Sequence, residues 1–249
     1  MLAATDWLFA IPALFACAAV SSVAFSALAL ASAGWLFADP VSMVTTFLVC
    51  SIAIQIHQVI LLRTEIDRAA LLPFVAGGLL GTPAGTLLLV RLEPQWLTGL
   101  LGGLLLAWCA LMSVRRVAWT VRASPTRDLV AGALGGVTGG FAAFPGAIAV
   151  PYLGLRGWSK ERQRAAYQPY ILAMQCASLA CLALVHGPSR LDAGPSDVGW
   201  LGVAALAALG GSRLGVACFR RLSDRRFGQW VLALLAVSGA ALLYRAWGL

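Results

Sequence analysis

The sequence predicts an all-α polytopic membrane protein made of two inverted-topology repeats. Each repeat is a broken or re-entrant helix hairpin followed by three transmembrane helices. Three observations predict this fold: an apolar composition arranged in span-length stretches, two overlong apolar segments with weak centres, and the distribution of Lys and Arg between loops. The chain is 60% hydrophobic and 11% charged, with a mean hydropathy of +0.85. A soluble domain of 249 residues has no use for that much apolar surface. Apolar stretches run near 7–37, 41–62, 69–90, 95–114, 128–155, 165–186, 197–219 and 228–246. Each is long enough to cross a hydrocarbon core of about 30 Å. The repeats divide as 1–114 and 128–249, joined by a linker at 115–127 on the cytoplasmic side.

The first segment, 7–37, is about 45 Å long as a straight helix, too long for one ordinary span. Its centre is polar, with Ser21, Ser22 and Ser26. The equivalent segment of the second half, 128–155, carries a stronger break, Gly139-Gly-Phe-Ala-Ala-Phe-Pro-Gly146. Backbone freed by such a break at bilayer depth must be satisfied by protein or by a water-filled cavity, and breaks of this kind mark transporter binding sites. Both segments read as hairpins that return to the side they came from; the alternative is a long tilted span with a kink.

Loop charge weighs on the hairpin side. With two hairpins, one side collects Arg63, Arg68, Arg115, Arg116, Arg122, Arg127, Arg156, Lys160, Arg162, Arg164, Arg220, Arg221, Arg225 and Arg226. The other keeps Arg91, Arg190 and Arg245. That asymmetry follows the positive-inside rule, and it places both termini outside the cytoplasm in a multi-pass protein of the cell (inner) membrane. Three full spans per half is an odd number, so the halves are inverted. Weak internal matches agree: Gln55 and Ala29 fall on Gln175 and Ala149, and Gly81, Gly85, Arg91 and Leu92 fall on Gly211, Gly215, Arg221 and Leu222.

The remaining spans supply candidate side chains. In 41–62, Gln55 is a buried-depth amide, and His57 is a titratable group near the cytoplasmic end that could carry a coupling proton. In 69–90, Gly77, Gly81 and Gly85 share one face, as Gly132, Gly136 and Gly140 do in 128–155. Small residues at every fourth position let transmembrane helices approach closely, inside one chain or as a homodimer seam. In 165–186, Gln175 occupies the place equivalent to Gln55. Gln168 and Tyr170 lie nearer the cytoplasmic end as possible gating groups, although a tyrosine there also suits an interface belt. In 197–219, Arg213 is two turns from the cytoplasmic end, a candidate coupling or gating group that touches substrate, or a residue that snorkels to the interface.

The returning half-helices would start near Ala24–Ser26 and near Ala143–Gly146, with Pro145 at a first helical position. Two helix N-termini meeting at the midplane would present unpaired N–H groups to an anion. Ser21, Ser22, Ser26, Thr138, Phe144, Pro145, Gly146, Gln55 and Gln175 are the candidate substrate-binding residues. No catalytic set, P-loop or metal-ligand spacing occurs within the spans, so neither an enzyme nor a cofactor or metal is expected. The six cysteines are scattered through apolar segments and read as small core residues. The net charge of +8 is accounted for by positive-inside loops, with lipid rather than nucleic acid as the partner.

The run Gly135-Gly-Val-Thr-Gly-Gly-Phe-Ala-Ala-Phe-Pro-Gly-Ala-Ile-Ala-Val-Pro-Tyr-Leu153, followed by Gly157-Trp-Ser-Lys-Glu-Arg162 and Arg164-Ala-Ala-Tyr167, resembles the TauE/SafE family of sulfite and organosulfonate exporters. Gly211-Ser-Arg-Leu-Gly215 and Gly81-Thr-Pro-Ala-Gly85 also fit. The resemblance implies a secondary transporter, exporting a small sulfur-containing anion by alternating access, with the family's glycine-rich break on Thr138 to Gly146. Ser21 to Leu30, by contrast, lacks the glycine and proline usual in the family's first half. The rival readings are a poorly selective small-anion channel and a non-transporting membrane scaffold subunit.

Overall fold

The computed structural model describes residues 40–114, 121–122, 124–186, short helical pieces between 202 and 214, and 224–248. The first segment, with Ser21, Ser22 and Ser26, lies outside the described residues. Seven helices are delimited: α1 (Pro40–Leu62), α2 (Arg68–Arg91), α3 (Pro94–Val114), α4 (Pro125–Ala142), α5 (Gly146–Gly154), α6 (Lys160–His186) and α7 (Asp224–Trp247). Among the described residues there is no strand. Proline opens α1, α3 and α4, where its missing N–H has no helical partner to lose. The Asp67 side chain caps α2 by accepting from the Ala70 N–H at 3.3 Å.

Among the described residues, two helices, Arg68–Arg91 and Glu161–Val185, are long and apolar enough to cross a bilayer. Their outer faces carry exposed Leu72, Leu80, Leu87 and Leu184. A continuous apolar exterior of that kind is covered by lipid rather than water.

The centre of the bundle is the contact between α2 and α4. A Cβ added to Gly77, Gly81 or Gly85 would overlap the backbone carbonyls of Leu129, Ala133 and Val137. A Cβ on Gly132, Gly136 or Gly140 would overlap those of Phe74, Gly78 and Thr82. The two stripes therefore face each other inside one chain, helix backbone on helix backbone, which removes them as a dimer seam. Matched numbers rise together along both helices, so α2 and α4 are parallel.

The order of contacts fixes the other directions. Asp67 meets Arg162 at 3.7 Å, the Phe74 and Tyr170 rings stand 4.3 Å apart, and the Thr82 hydroxyl reaches the Met174 sulfur at 3.5 Å. Hence α6 runs parallel to α2 and α4, and all three start at one end. A segment 125–154 that crossed the bilayer once would have reversed α6. Instead it doubles back: the Val121 N–H donates to the Leu155 carbonyl at 2.8 Å, joining the chain before α4 to the chain after α5.

α1 runs antiparallel to α6, with Ser51 beside Gln175 and Gln58 beside Arg164. α3 runs antiparallel to α7, with Trp96 against Trp247 at 5.1 Å and the Cys109 thiol donating to the Leu232 carbonyl at 3.4 Å. One end of the bundle gathers Arg63, Arg68, Arg122, Arg127, Arg156, Arg162 and Arg164; Arg91 and Arg245 close the helices at the other.

Because the α2 and α4 backbones touch, Gly81→Ala should force them apart. It is expected to lower stability by roughly 1–3 kcal/mol or to abolish folding. Gly103→Ala, where an added Cβ meets open space, should be neutral or slightly stabilising. Thermal unfolding of the two variants in the same detergent checks this.

Candidate functional site

The helix break lies at Ala143–Pro145. Ala143 takes the left-handed conformation, φ 53° and ψ 24°, and is the only described non-glycine residue with positive φ. The N–H groups of Ala143 and Phe144 both turn back to the Thr138 carbonyl. This ends α4 and reverses the chain. Pro145 then stands as the N-cap of α5, one position before the helix rather than at its first residue as the sequence suggests. No side chain caps the start of α5. The tip is enclosed: Thr138, Phe144, Pro145 and Gly146 are all buried. The Thr138 hydroxyl donates to the Gly135 carbonyl within its own helix at 3.0 Å.

An ion pair ties the base of the hairpin. Asp128, in the first turn of α4, binds the Arg156 guanidinium just beyond α5, and both side chains are buried. The Tyr152 hydroxyl donates to the same carboxylate at 2.6 Å. The guanidinium lies over the rings of Tyr152, at 5.3 Å, and Trp158, at 5.0 Å. Burial works to lower the Arg156 pKa, but its hydrogen bonds to Tyr152 and Asp128 outweigh burial and hold it above the ordinary value. A cavity of about 10 Å³, lined by Phe74, Leu153 and Trp158 beside the pair, has room for about one water. The Arg156 Nε, which has no protein partner, could use it.

The sequence candidates on α1 and α6 come together in a second feature, a polar seam between these helices. The Gln175 amide donates to the Ser51 hydroxyl at 2.6 Å, and the Arg164 guanidinium donates to the Gln58 side-chain oxygen. The antiparallel pairing brings Gln55, one turn after Ser51, to the level of Gln168. The side chains of Gln55, Gln168 and Gln175 are buried, at 8%, 3% and 1% exposure, and the Oε1 atom of each has no hydrogen-bond partner. Ser51, Gln58 and Arg164 are the members that the sequence candidates lacked. The signal was present as polar residues at 51, 55 and 58, one face of a helix.

The tip packs against the Met174 and Tyr170 face of α6: a Cβ built on Gly139 would lie 3.1 Å from Pro145 and 3.6 Å from Met174. Tyr170 serves this face of α6 and not the seam. It is fully buried, not at a membrane interface, and its hydroxyl donates to the Gly132 carbonyl at 2.7 Å. His57 is half-buried, and helical spacing turns it away from the seam. Arg213 is exposed.

An apolar-faced helical bundle with one helix broken in its interior and buried amide oxygens left unpaired has the features of helical membrane transport proteins. Residues 8–242 match the model of the family described as sulfite exporter TauE/SafE. The chain belongs to this family of membrane transporters. No curated protein and no solved structure matches it.

Two stability measurements follow from this geometry. Ala143→Gly relieves a left-handed alanine and should stabilise the protein by up to about 1 kcal/mol, seen as a higher Tm in detergent. Asp128→Asn leaves Arg156 buried without its counter-charge. It should cost roughly 3–5 kcal/mol, and the apolar double replacement Asp128→Leu with Arg156→Met should cost less. Denaturant unfolding of the single and double variants measures the difference.

Proposed function

We propose that this chain is a secondary transporter that exports small sulfur-containing anions, sulfite or an organosulfonate, by alternating access around a site near the bilayer midplane. The observations that carry the reading are an enclosed helix break at Ala143–Gly146 and, on α1 and α6 of the same bundle, buried glutamine oxygens without partners. A helix start without a side-chain cap offers N–H donors, and Gln175, turned over so that its oxygen accepts from Ser51, would offer its NH2 group. Neither carries a full charge, which lets an anion bind and still leave.

The family's description gives the substrate class. Two inverted repeats are supported by direction: α1 and α6 fall in equivalent segments and run antiparallel, as do α3 and α7. The basic end, on this reading, is cytoplasmic, with both termini on the far side of the cell membrane. An interior-negative potential then favours anion exit by about 2.3 kcal/mol per charge per 100 mV, which drives export without a coupled ion.

The test is thermal stabilisation of the purified protein by sulfite, thiosulfate, sulfoacetate, taurine and sulfate against a carboxylate control at matched ionic strength. A bound anion at a hundred times its Kd stabilises by about 2.7 kcal/mol. A selective shift with one sulfur anion is expected; equal shifts with all anions would favour an unselective channel. Gln175→Ala should reduce transport of the stabilising anion in proteoliposomes by about tenfold, the worth of one hydrogen bond to a charged ligand. Undiminished transport by a well-folded Gln175→Ala protein would remove Gln175 from the site.

A further inference from the structure

The α1–α6 seam has a chemistry that packing does not explain. In a helical membrane bundle each buried amide is expected to find partners, because hydrocarbon offers none. Here three side-chain oxygens on two facing helices, those of Gln55, Gln168 and Gln175, are buried and unpaired. Turning the Gln175 amide over does not help. Its oxygen would then accept from Ser51 and its NH2 group would be left without a partner. In either orientation one polar end of the side chain remains for a guest that can both donate and accept. Water does both, and the oxygens of a small oxyanion accept.

The seam is also continuous and polarised. Arg164, Gln168 and Gln175 lie on one face of α6 and span about 16 Å at 1.5 Å per residue. That distance is about half of a hydrocarbon core. One end is the Arg164 guanidinium, at the basic end of the bundle, steadied by Gln58. The other end is Gln175, deep in the bundle, where its amide donates to Ser51 of α1.

We infer that this seam is a hydrated lane along which a small anion passes between the interior of the bundle at Gln175 and the basic end of the protein, lined by Gln55, Gln168 and Gln175 with Arg164 as the cation at its mouth. The inference deepens the transporter reading and rests on it for the direction of traffic. The lane itself is a statement about hydration and charge that stands or falls separately.

Cysteine accessibility tests it on the full chain in proteoliposomes, with the six native cysteines replaced. Gln168→Cys and Gln55→Cys report on the lane, and Leu184→Cys, on the exposed apolar face, is the lipid control. The probes are membrane-impermeant methanethiosulfonates, one bearing a sulfonate and one a quaternary ammonium. The lane cysteines should react at least tenfold faster than Leu184→Cys. The sulfonate reagent should outpace the ammonium reagent several-fold, and Arg164→Gln should abolish that preference. Ser51→Cys, nearly isosteric, answers the same question should a glutamine replacement fail to fold. Lane cysteines no more reactive than Leu184→Cys would overturn the inference, even in a protein that exports sulfur anions. Reactive, anion-selective lane cysteines in a protein that moves no sulfur anion would uphold the lane and overturn the substrate reading.

Discussion

The contact between α2 and α4 is the constraint on which the rest of the structure depends. Alternating glycines place carbonyl oxygens of each helix where the other would carry a Cβ. In lipid there is little hydrophobic drive to bring two helices together, so close packing of this kind supplies much of the association. It fixes the depth and direction of α4. With α4 held, the break at Ala143 has one place to be, between α2, α6 and the returning α5. Tyr170 reinforces this from the third side, its ring packed at a tilt against Phe74 of α2 and its hydroxyl donating to the Gly132 carbonyl of α4. The tip is thus presented by a rigid scaffold, although it is itself a loop.

Two polar features of this arrangement differ in their pairing. At the base of the hairpin, Asp128, Tyr152 and Arg156 bind one another, and the guanidinium lies over the rings of Tyr152 and Trp158 with its Nε left to the neighbouring cavity. Such a buried pair contributes little net stability but strongly penalises any geometry that separates its partners. It therefore specifies that the chain enters and leaves the hairpin at one end. In the seam, by contrast, the amides of Gln55, Gln168 and Gln175 are left incomplete. Buried polar groups are ordinarily paired, so three unpaired oxygens along one seam call for an explanation, which the proposed lane supplies.

Much of this was legible in the sequence because it depends on local pattern. The span-length apolar runs, the two glycine stripes and the position of the break are each written within a few turns of helix. Loop charge points to a hairpin at 128–155, and Val121, Leu155 and the direction of α6 accord with it. What was not legible depends on tertiary pairing. The two stripes could be recognised separately, but not as each other's partners. Asp128 and Arg156 are 28 residues apart and meet only when the hairpin closes. Asp128 also stands at the edge of its apolar run, where an acidic residue reads as loop. Arg164 reads as one more positive-inside charge until α1 lies antiparallel to α6 and brings Gln58 to it. Pro145 was placed one residue too far into its helix, because the left-handed turn is made by Ala143, where sequence preference would put glycine.

The uncharged interior of the site bears on how an anion could be moved rather than stored. The full charges among the described seam and hairpin residues stand near one end: Arg164 at the mouth of the seam, and Arg156 neutralised by Asp128. Deeper in, the available groups are dipoles: glutamine amides, Ser51 and the start of α5. An anion drawn toward Arg164 by a full charge and then handed to dipoles meets attraction strongest where it must compete with bulk water and weaker where it must be released. That gradient, laid along one helix face from the basic end into the bundle, is what a pathway needs and a static binding pocket does not.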